Sequence, residues 1–293
     1  MRWLLLFLCC LIPVAYSAVP VDEMSQGKLQ KTCRKGAAES CTQLGRLEYR
    51  QKDHPKANEW YEKGCELGDP RGCCNMGLAY WLGRGVEKDF PKAGPLLAKG
   101  CDADVALCCS SFGMMHKNGQ LSTLDGPGLL KVFEKGCAAG DMPSCFEVGF
   151  MKDAGDKVPR DLPNALIAYE KTCEAGNQTG CFNAGRVHRL GKEGVEYNEV
   201  KAHHYFKRAC DGGFGDRACR EAKGFKRMLD CRQICANLDD MFASVKNPTN
   251  QKLKKIIRYQ SECYQGCLRD GTIEVECALE ADTVEAFLPC SNY

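Results

Sequence analysis

Cysteines recur along this chain in pairs at a nearly constant interval. From the first cysteine of one pair to the first of the next, the steps are 32, 36, 36, 36 and 37 residues. The second cysteine follows after eight residues in five pairs and after nine in the sixth. Self-similarity at a fixed period of this length predicts a repeat architecture. The pairs are Cys33 and Cys41, Cys65 and Cys73, Cys101 and Cys109, Cys137 and Cys145, Cys173 and Cys181, and Cys210 and Cys219.

Each repeat carries the signals of a helix that ends near its first cysteine. From the second repeat onward, positions eight and four before that cysteine are apolar, which predicts one buried stripe. Glycine three residues after the cysteine can end the helix in a left-handed conformation, although Asp104 replaces it in the third repeat. Twelve residues before the cysteine stands a side chain that can cap a helix N-terminus. These caps are Asp53, Asp89, Asp125, Asp161 and Asn198.

A second helix is predicted from the second cysteine onward. It carries a glycine four positions after that cysteine in each of the first five repeats. A mid-helix glycine costs about 1 kcal/mol relative to alanine, so its recurrence indicates that a neighbouring helix approaches closely. The unit is then a pair of antiparallel helices, and stacking of the pairs buries the apolar stripes. The glycines are Gly45, Gly77, Gly113, Gly149 and Gly185.

The N-terminal segment, residues 1–17, has the features of a secretory signal peptide: a basic Arg2, an apolar run and a small-residue cleavage site at Ala15-Tyr16-Ser17. The run is too short to span a bilayer, and no membrane span is predicted in the mature chain. An uncleaved anchor is the alternative. Of the 22 cysteines, Cys9 and Cys10 lie in this segment, which leaves an even number for pairing. We therefore expect a secreted or periplasmic protein in an oxidising compartment.

The segment from Asn75 to Val86, followed by Asp89 and by Lys92-Ala93, resembles the Sel1-like repeat, a relative of the tetratricopeptide repeat. With its added cysteine pair, the repeat is similar to those of the Helicobacter cysteine-rich protein (Hcp-like) family. The resemblance covers about residues 27–222 and implies an exported array with one disulfide per repeat. Proteins of that family are described as β-lactamases or penicillin-binding proteins. The resemblance therefore also implies a weak β-lactamase or penicillin-binding activity for this chain.

Cysteines eight residues apart lie across a tight turn between antiparallel helices, a separation within disulfide reach. The six regular pairs are therefore predicted to be six local disulfides. Cys74 and Cys108 remain beside them on successive repeats. They either bond to each other or stay as buried free thiols.

After residue 222 the cysteine spacing changes to two CxxxC motifs on two predicted helices. Two antiparallel helices would pair the motifs, and the last two cysteines would pair in the tail. A zinc site with four thiolate ligands is the alternative for the CxxxC motifs, although export favours disulfides. The expected bonds are Cys231 to Cys267, Cys235 to Cys263, and Cys277 to Cys290.

The expected fold class is an all-α solenoid of disulfide-stapled, Sel1-like helix pairs with a C-terminal helical hairpin. Three regions follow from the patterns above. We expect a signal peptide over residues 1–17, an array of five to six repeats over residues 18–222, and a disulfide-linked hairpin cap and tail over residues 223–293.

The sequence offers no convincing catalytic centre. The single Ser-x-x-Lys motif, Ser25 to Lys28, lacks the Ser-Asp-Asn and Lys-Thr-Gly motifs that accompany it in β-lactamases. The five histidines form no metal-binding pattern, and His116 and His188 occupy a position where Tyr80 stands in another repeat, which favours packing. We therefore predict no catalytic residue, metal or cofactor. A net charge of +2, with acidic and basic residues interleaved, argues against nucleic acid as a partner.

A binding surface is the remaining candidate. In related solenoids the first helix of each pair lines the concave face, and positions one and five after the second cysteine lie four apart, on one face of a helix. The alternative is that these side chains pack between adjacent repeats. The candidate binding residues are Leu78, Met114, Phe146, Phe150, Phe182 and Arg186.

The sequence thus favours an exported scaffold that binds a peptide, a protein or a cell-wall component such as a peptidoglycan-like ligand. The β-lactamase activity implied by the resemblance is the alternative from the enzyme class. A third possibility is a structural or envelope-stress factor in which binding is incidental. Asn177-Gln178-Thr179 is a glycosylation sequon, which has meaning only in a host that glycosylates.

Overall fold

The structure is a computed structural model, and it describes residues 26–121 and 124–243. These ranges contain helices and connecting turns but no strand, so the predicted all-α class is confirmed. The twelve helices are α1 (Gln26–Arg34), α2 (Ala38–Arg50), α3 (His54–Glu66), α4 (Pro70–Leu82), α5 (Phe90–Asp102), α6 (Ala106–Lys117), α7 (Gly126–Ala138), α8 (Met142–Ala154), α9 (Leu162–Glu174), α10 (Gln178–Leu190), α11 (Glu199–Asp211) and α12 (Asp216–Ala243).

The chain divides into two compact units. Among the described residues, unit 1 contains α1 to α6 and unit 2 contains α7 to α12. Within each unit every helix packs against the next one along the chain. Each unit is therefore a short stack of antiparallel helices.

Acidic and amide side chains begin the helices, as their positions predict. The side chain of Asp53 accepts a hydrogen bond from the backbone N–H of Lys56 at 3.2 Å, and Asn198 accepts one from Lys201 at 2.8 Å. Asp89, Asp125 and Asp161 cap α5, α7 and α9 in the same way. Each cap satisfies a backbone N–H that has no partner within the helix.

The turn after each first cysteine contains one residue in the left-handed conformation. Five of these residues are glycines, with φ between 83° for Gly213 and 96° for Gly68. In the third repeat Asp104 adopts the same conformation, with φ of 59°. Asp is among the few residues other than glycine that tolerate this region, so the turn survives where the sequence pattern breaks.

The stripe of apolar residues forms the core, and the mid-helix glycines make room for it. The side chains four residues before the first cysteine are buried; those of Leu29, Phe133 and Phe206 are 0% exposed. A Cβ atom on Gly45 would lie 2.5 Å from the ring of Tyr61, which stands at that position in the next repeat. The same contact recurs at Gly77, Gly149 and Gly185. The predicted close approach of a neighbouring helix is therefore confirmed for these glycines.

Disulfides join the two helices of each repeat. All six regular pairs are bonded, with Cα atoms 4.4 to 4.9 Å apart. A seventh bond, between Cys74 and Cys108, joins α4 to α6 of the following repeat across 5.7 Å. Of the two outcomes left open for these cysteines, the structure has the disulfide.

The last described helix, α12, is 28 residues long and continues through residues 222 and 223, where the sequence suggested a boundary. Phe225 on α12 is buried in one cluster with Phe206 of α11. Cys231 and Cys235 are disulfide-bonded. The proposed partners Cys263 and Cys267, the pair Cys277 and Cys290, and the signal peptide lie outside the described residues.

Basic side chains also tie successive repeats together. Two residues before the first cysteine, Lys171 donates from Nζ to the carbonyl oxygen of Cys137 at 2.9 Å, and Arg208 donates from its guanidinium to the carbonyl of Cys173 at 3.0 Å. In unit 1, Lys99 reaches the carbonyl of Cys65 at 3.5 Å. These carbonyls lie in the last turns of helices, where cations are favoured by the helix dipole.

Candidate functional site

The sequence-predicted stripe lies on the second helix of each repeat. Leu78 on α4, Met114 on α6 and Phe146 on α8 are half-buried. The ring of Phe146 lies 6.0 Å from that of Tyr169, and Phe150, one turn further on α8, is 48% exposed. These residues keep partial access to solvent, which a binding role requires.

The position of Phe182 in the repeat suggested an exposed residue in a binding groove, but the side chain is buried. Its side chain is 6% exposed, stacks on Phe214 at 4.6 Å and meets Phe206 edge-on at 5.4 Å. The guanidinium of Arg217 covers the ring at 5.1 Å from its centroid. Phe182 therefore contributes to packing in unit 2, as the alternative interpretation held.

Arg186, the last candidate, forms an ion pair with Asp153. Burial lowers the pKa of its guanidinium, and the nearby cations Arg189 and Arg217 lower it further. The charge of Arg186 is therefore already engaged within unit 2.

Unit 1 has a concave cleft of about 300 Å³. It is formed by α2, α3, α4, the loop after α4 and the start of α6. We call it the unit 1 cleft and define it by its lining residues. These are Arg46, Tyr49, Arg50, Asn58, Tyr61, Asn75, Leu78, Ala79, Leu82, Arg84 and Leu107.

The cleft gathers large apolar side chains that solvent can reach. Tyr49 is 37% exposed, Leu82 is 39% exposed and Leu107 is 52% exposed. Leu82 lies one helical turn after Leu78, so both are on the same face of α4. The sequence interpretation named Leu78 as a candidate binding residue, but it did not identify Tyr49, Leu82 or Leu107.

Hydrogen bonds fix one wall of the cleft. Asn58, which is 5% exposed, donates from Nδ2 to the carbonyl oxygen of Arg84 at 2.7 Å. The guanidinium of Arg84 donates to the hydroxyl of Tyr49 and lies 5.9 Å from the centroid of that ring. Gly83 and Gly85, on either side of Arg84, have φ of 71° and 72°. The turn that presents Arg84 therefore needs glycine at two positions.

Tyr61 lies among the cleft-lining residues. Burial raises the pKa of its hydroxyl to about 12, while the nearby charge of Arg46 acts in the opposite direction. The phenol is therefore neutral at physiological pH, and the cationic charge of the cleft comes from its arginines.

Unit 2 has a second concavity, of about 560 Å³, between α10, the following loop and α12. Arg189, which lines it, forms an ion pair with Glu221 at 2.6 Å. Its cationic charge is therefore partly neutralised. The lining also includes Tyr197, Arg217, Arg220, Gly224, Phe225 and Met228.

The histidines noted in the sequence are packing residues. His116 is 9% exposed and its Nδ1 lies 3.2 Å from the carbonyl oxygen of Leu121; burial lowers its pKa. His188 is 4% exposed, bonds to Glu170 at 3.1 Å and stacks on Tyr205 at 5.6 Å. In the described part of the chain, no three His, Cys, Asp or Glu residues are grouped as metal ligands. Ser25, the serine of the Ser-x-x-Lys motif, lies outside the described residues.

Within the described ranges, the structure contains no helix with the length and hydrophobicity needed to cross a membrane. Disulfides in every repeat are typical of proteins that mature in an oxidising environment.

Four segments match the family model of the Sel1 repeat: residues 38–69, 70–105, 143–177 and 179–214. Among curated relatives, "Putative beta-lactamase HcpC" of Helicobacter pylori is 43% identical over 44 residues, which are 15% of this chain and 15% of that protein. The matched segment is thus a small part of both chains.

Two solved structures show a similar fold. A Sel1 repeat protein from Oxalobacter formigenes is 21% identical, with a TM-score of 0.57 over 68% of this chain and 58% of that chain. The protective antigen c5321 of uropathogenic Escherichia coli is 18% identical, with a TM-score of 0.57 over 90% of this chain and 64% of that chain. This chain covers less than two thirds of either. The chain therefore contains Sel1 repeats in the fold of the Sel1 repeat proteins, and one segment of it is similar to a Helicobacter cysteine-rich protein.

Proposed function

We propose that this protein is an exported scaffold that binds a peptide segment of a partner protein in the unit 1 cleft. The observation that carries the proposal is the group of solvent-accessible apolar side chains, Tyr49, Leu82 and Leu107, inside a concave site. Concave sites that combine apolar surface with a few fixed polar groups are typical of ligand binding.

The composition of the cleft favours binding over acyl transfer. Its lining consists of arginine, asparagine, tyrosine and aliphatic residues. A β-lactamase of the serine type needs a hydroxyl nucleophile next to a general base, and the cleft lining supplies no such pair. The binding function is therefore the better supported of the two candidates.

The proposal is tested by screening short synthetic peptides of varied composition against the full chain. Leu107→Ser should weaken binding about tenfold or more, because a leucine buried on binding contributes roughly 1.5 to 3 kcal/mol. Leu82→Ser should act in the same direction. Ile167→Ser is the matched control, because Ile167 is 62% exposed on α9 and lies outside the cleft. Equal loss in control and cleft variants would contradict the proposal, as would binding of soluble peptidoglycan fragments instead of peptides.

Export is the second part of the proposal. The apolar segment of residues 1–17 and the disulfide-rich repeats support it. If the segment is a cleaved signal peptide, N-terminal sequencing of the protein from its native compartment should begin at Ala18. A sequence that begins at Met1 would contradict cleavage.

A further inference from the structure

We infer that the unit 1 cleft recognises an acidic peptide segment, in which carboxylate side chains pair with arginines while neighbouring apolar side chains cover the exposed leucines. This inference rests on the proposed function, because it specifies the chemistry of the peptide bound in the same cleft. It follows from the charge of the cleft lining, the fixed position of one arginine and the placement of the apolar residues.

Three arginines line the cleft. The inference uses two of them, Arg46 on α2 and Arg84 in the loop after α4, because the third, Arg50, already has an interaction partner. None of the described residues that line the cleft is Asp or Glu. The lining is therefore cationic, and a ligand with carboxylates complements it. Guanidinium groups bind carboxylates with paired, charge-assisted hydrogen bonds.

Arg84 is held in place before any ligand binds. The buried amide of Asn58 fixes its backbone carbonyl at 2.7 Å, and the backbone N–H of Arg84 bonds to the carbonyl oxygen of Ala79 at 3.0 Å. Its guanidinium rests against Tyr49. A side chain ordered in this way loses less conformational entropy when it binds, which favours affinity.

The apolar residues determine that the acidic ligand also carries apolar side chains. Leu82 at the end of α4 and Leu107 at the start of α6 line the same cleft as the arginines. A simple anion would leave these leucines in water, whereas a peptide with mixed acidic and apolar residues would cover them. Such a ligand gains both charge pairing and apolar burial.

The concavity of unit 2 is the weaker candidate for an acidic ligand. It is also lined by arginines, but Glu221 is among its lining residues and pairs with Arg189 at 2.6 Å. A carboxylate of a ligand would have to compete with one that is already present. The inference is therefore limited to the unit 1 cleft.

The probes for the test are two sets of fluorescently labelled short peptides. The first set combines Asp or Glu with Leu or Phe, and the second set is identical except that Asn and Gln replace the acids. Binding to the full chain is measured by fluorescence anisotropy. We expect the acidic set to bind about tenfold more tightly than its amide copy, and its affinity to fall as salt rises to about 0.5 M.

Substitutions in the protein assign the effect to the cleft. Arg46→Gln and Arg84→Gln should each weaken binding of the acidic set about five- to tenfold and leave the amide set nearly unchanged. Arg46→Lys keeps the charge and should restore part of the affinity. Arg71→Gln is the control, because Arg71 has a side chain that is 69% exposed on α4 and does not line the cleft. Circular dichroism checks that each variant is folded. Arg46 is exposed on α2, so its substitution tests the inference without changing the loop that carries Arg84.

The outcomes separate the two proposals. If both peptide sets bind equally and Leu107→Ser weakens both, the cleft binds peptides but the preference for acidic segments is wrong. If Arg71→Gln weakens binding as much as Arg46→Gln, the effect is general surface charge and the inference is overturned. If neither peptide set nor any other peptide binds the full chain, the proposed function fails as well.

Discussion

Gly149 lies on α8 at the point where the ring of Tyr169 packs against the helix backbone. A Cβ atom there would lie 2.9 Å from two ring carbons and 3.3 Å from the carbonyl oxygen of Ala165. Gly224 on α12 is a matched contrast, because a Cβ atom there would meet no atom within 4 Å. Comparing alanine substitutions at these two glycines therefore distinguishes the steric cost of a Cβ atom from the higher helix propensity of alanine.

We expect Gly149→Ala to lower the free energy of unfolding by about 1 to 3 kcal/mol, because Tyr169 and α9 must move away. Gly224→Ala should raise it by up to about 1 kcal/mol, because alanine is the better helix former. Urea denaturation followed by circular dichroism measures both. Similar effects from the two substitutions would show that the close contact at Gly149 is not what retains glycine there.

Arg208 provides a second residue-level prediction. Arg208→Gln removes the cation that donates to the carbonyl of Cys173 at 3.0 Å, in the last turn of α9. The unfolding free energy should fall by about 1 kcal/mol, the usual contribution of a charge-assisted hydrogen bond near a helix C-terminus. Lys207→Gln is the control, since its pair with Asp211 is exposed at 59% and 60% and should contribute less than about 0.5 kcal/mol. Equal losses would contradict the role given to Arg208.

At the residue scale, the sequence predicted the features that depend on local geometry. Helix caps and helix-ending glycines could be identified because each acts within a few residues of its own position. The burial of Phe182 could not, because it depends on Phe214 and Phe206, which meet it only in the folded chain. The basic position two residues before each first cysteine could have been noticed, since it holds Lys31, Lys63, Lys99, Lys135, Lys171 and Arg208.

At the element scale, α12 illustrates the difference between a cysteine pattern and a helix boundary. The cysteine spacing changes after residue 222, which suggested a new region there. Helix formation depends instead on backbone and side-chain preferences, and the sequence from Asp216 to Ala243 contains no proline and one glycine. A single helix therefore runs from the last regular disulfide into the C-terminal region.

We expect a chain that ends at Ala222 to aggregate. Truncation there removes Phe225 and the part of α12 that packs on α11, so Phe206, which is 0% exposed in the full chain, would lose part of its cover. A repeat array needs its terminal apolar face covered to remain in solution. A chain that ends at Ala243, with Cys231 and Cys235 replaced by alanine because truncation would remove their proposed partners, keeps this contact and is the control. Size-exclusion chromatography with light scattering measures the difference; a monomeric, equally stable shorter chain would identify the segment as an independent module.

The Cys74–Cys108 disulfide gives a further element-scale prediction. It connects residues 34 positions apart on α4 and α6, whereas the disulfide of the fourth repeat closes a loop of only 8 positions. In the chain-entropy account, the longer loop contributes about 4 kcal/mol and the shorter about 2.5 kcal/mol. Replacing both Cys74 and Cys108 by alanine should therefore destabilise the protein more than replacing both Cys137 and Cys145. The opposite order in urea denaturation would show that native-state packing, not loop length, determines the effect.

At the scale of the whole molecule, the division into two units was not predicted. The cysteine interval from Cys101 to Cys137 is the usual 36 residues, so the spacing gives no sign of a change between α6 and α7. The family comparison is less uniform there, since residues 106–142 lie between two matched segments. Periodicity identifies the repeated pair of helices, but it does not determine where the chain divides into compact units.

Reduction of the intact protein tests how stability is shared between the disulfides and the apolar core. The core stripe buries large side chains in addition to the cysteines; Tyr169 is 1% exposed and Leu97 is 0% exposed. We therefore expect mild reductant to lower the melting temperature while much of the helical circular dichroism signal persists at low temperature, because stacked repeats still bury this surface. Cys210–Cys219, whose residues are partly exposed, should be reduced before the buried Cys173–Cys181. Alkylation with mass spectrometry follows the order, and complete unfolding at low temperature would show that the core alone cannot maintain the helices.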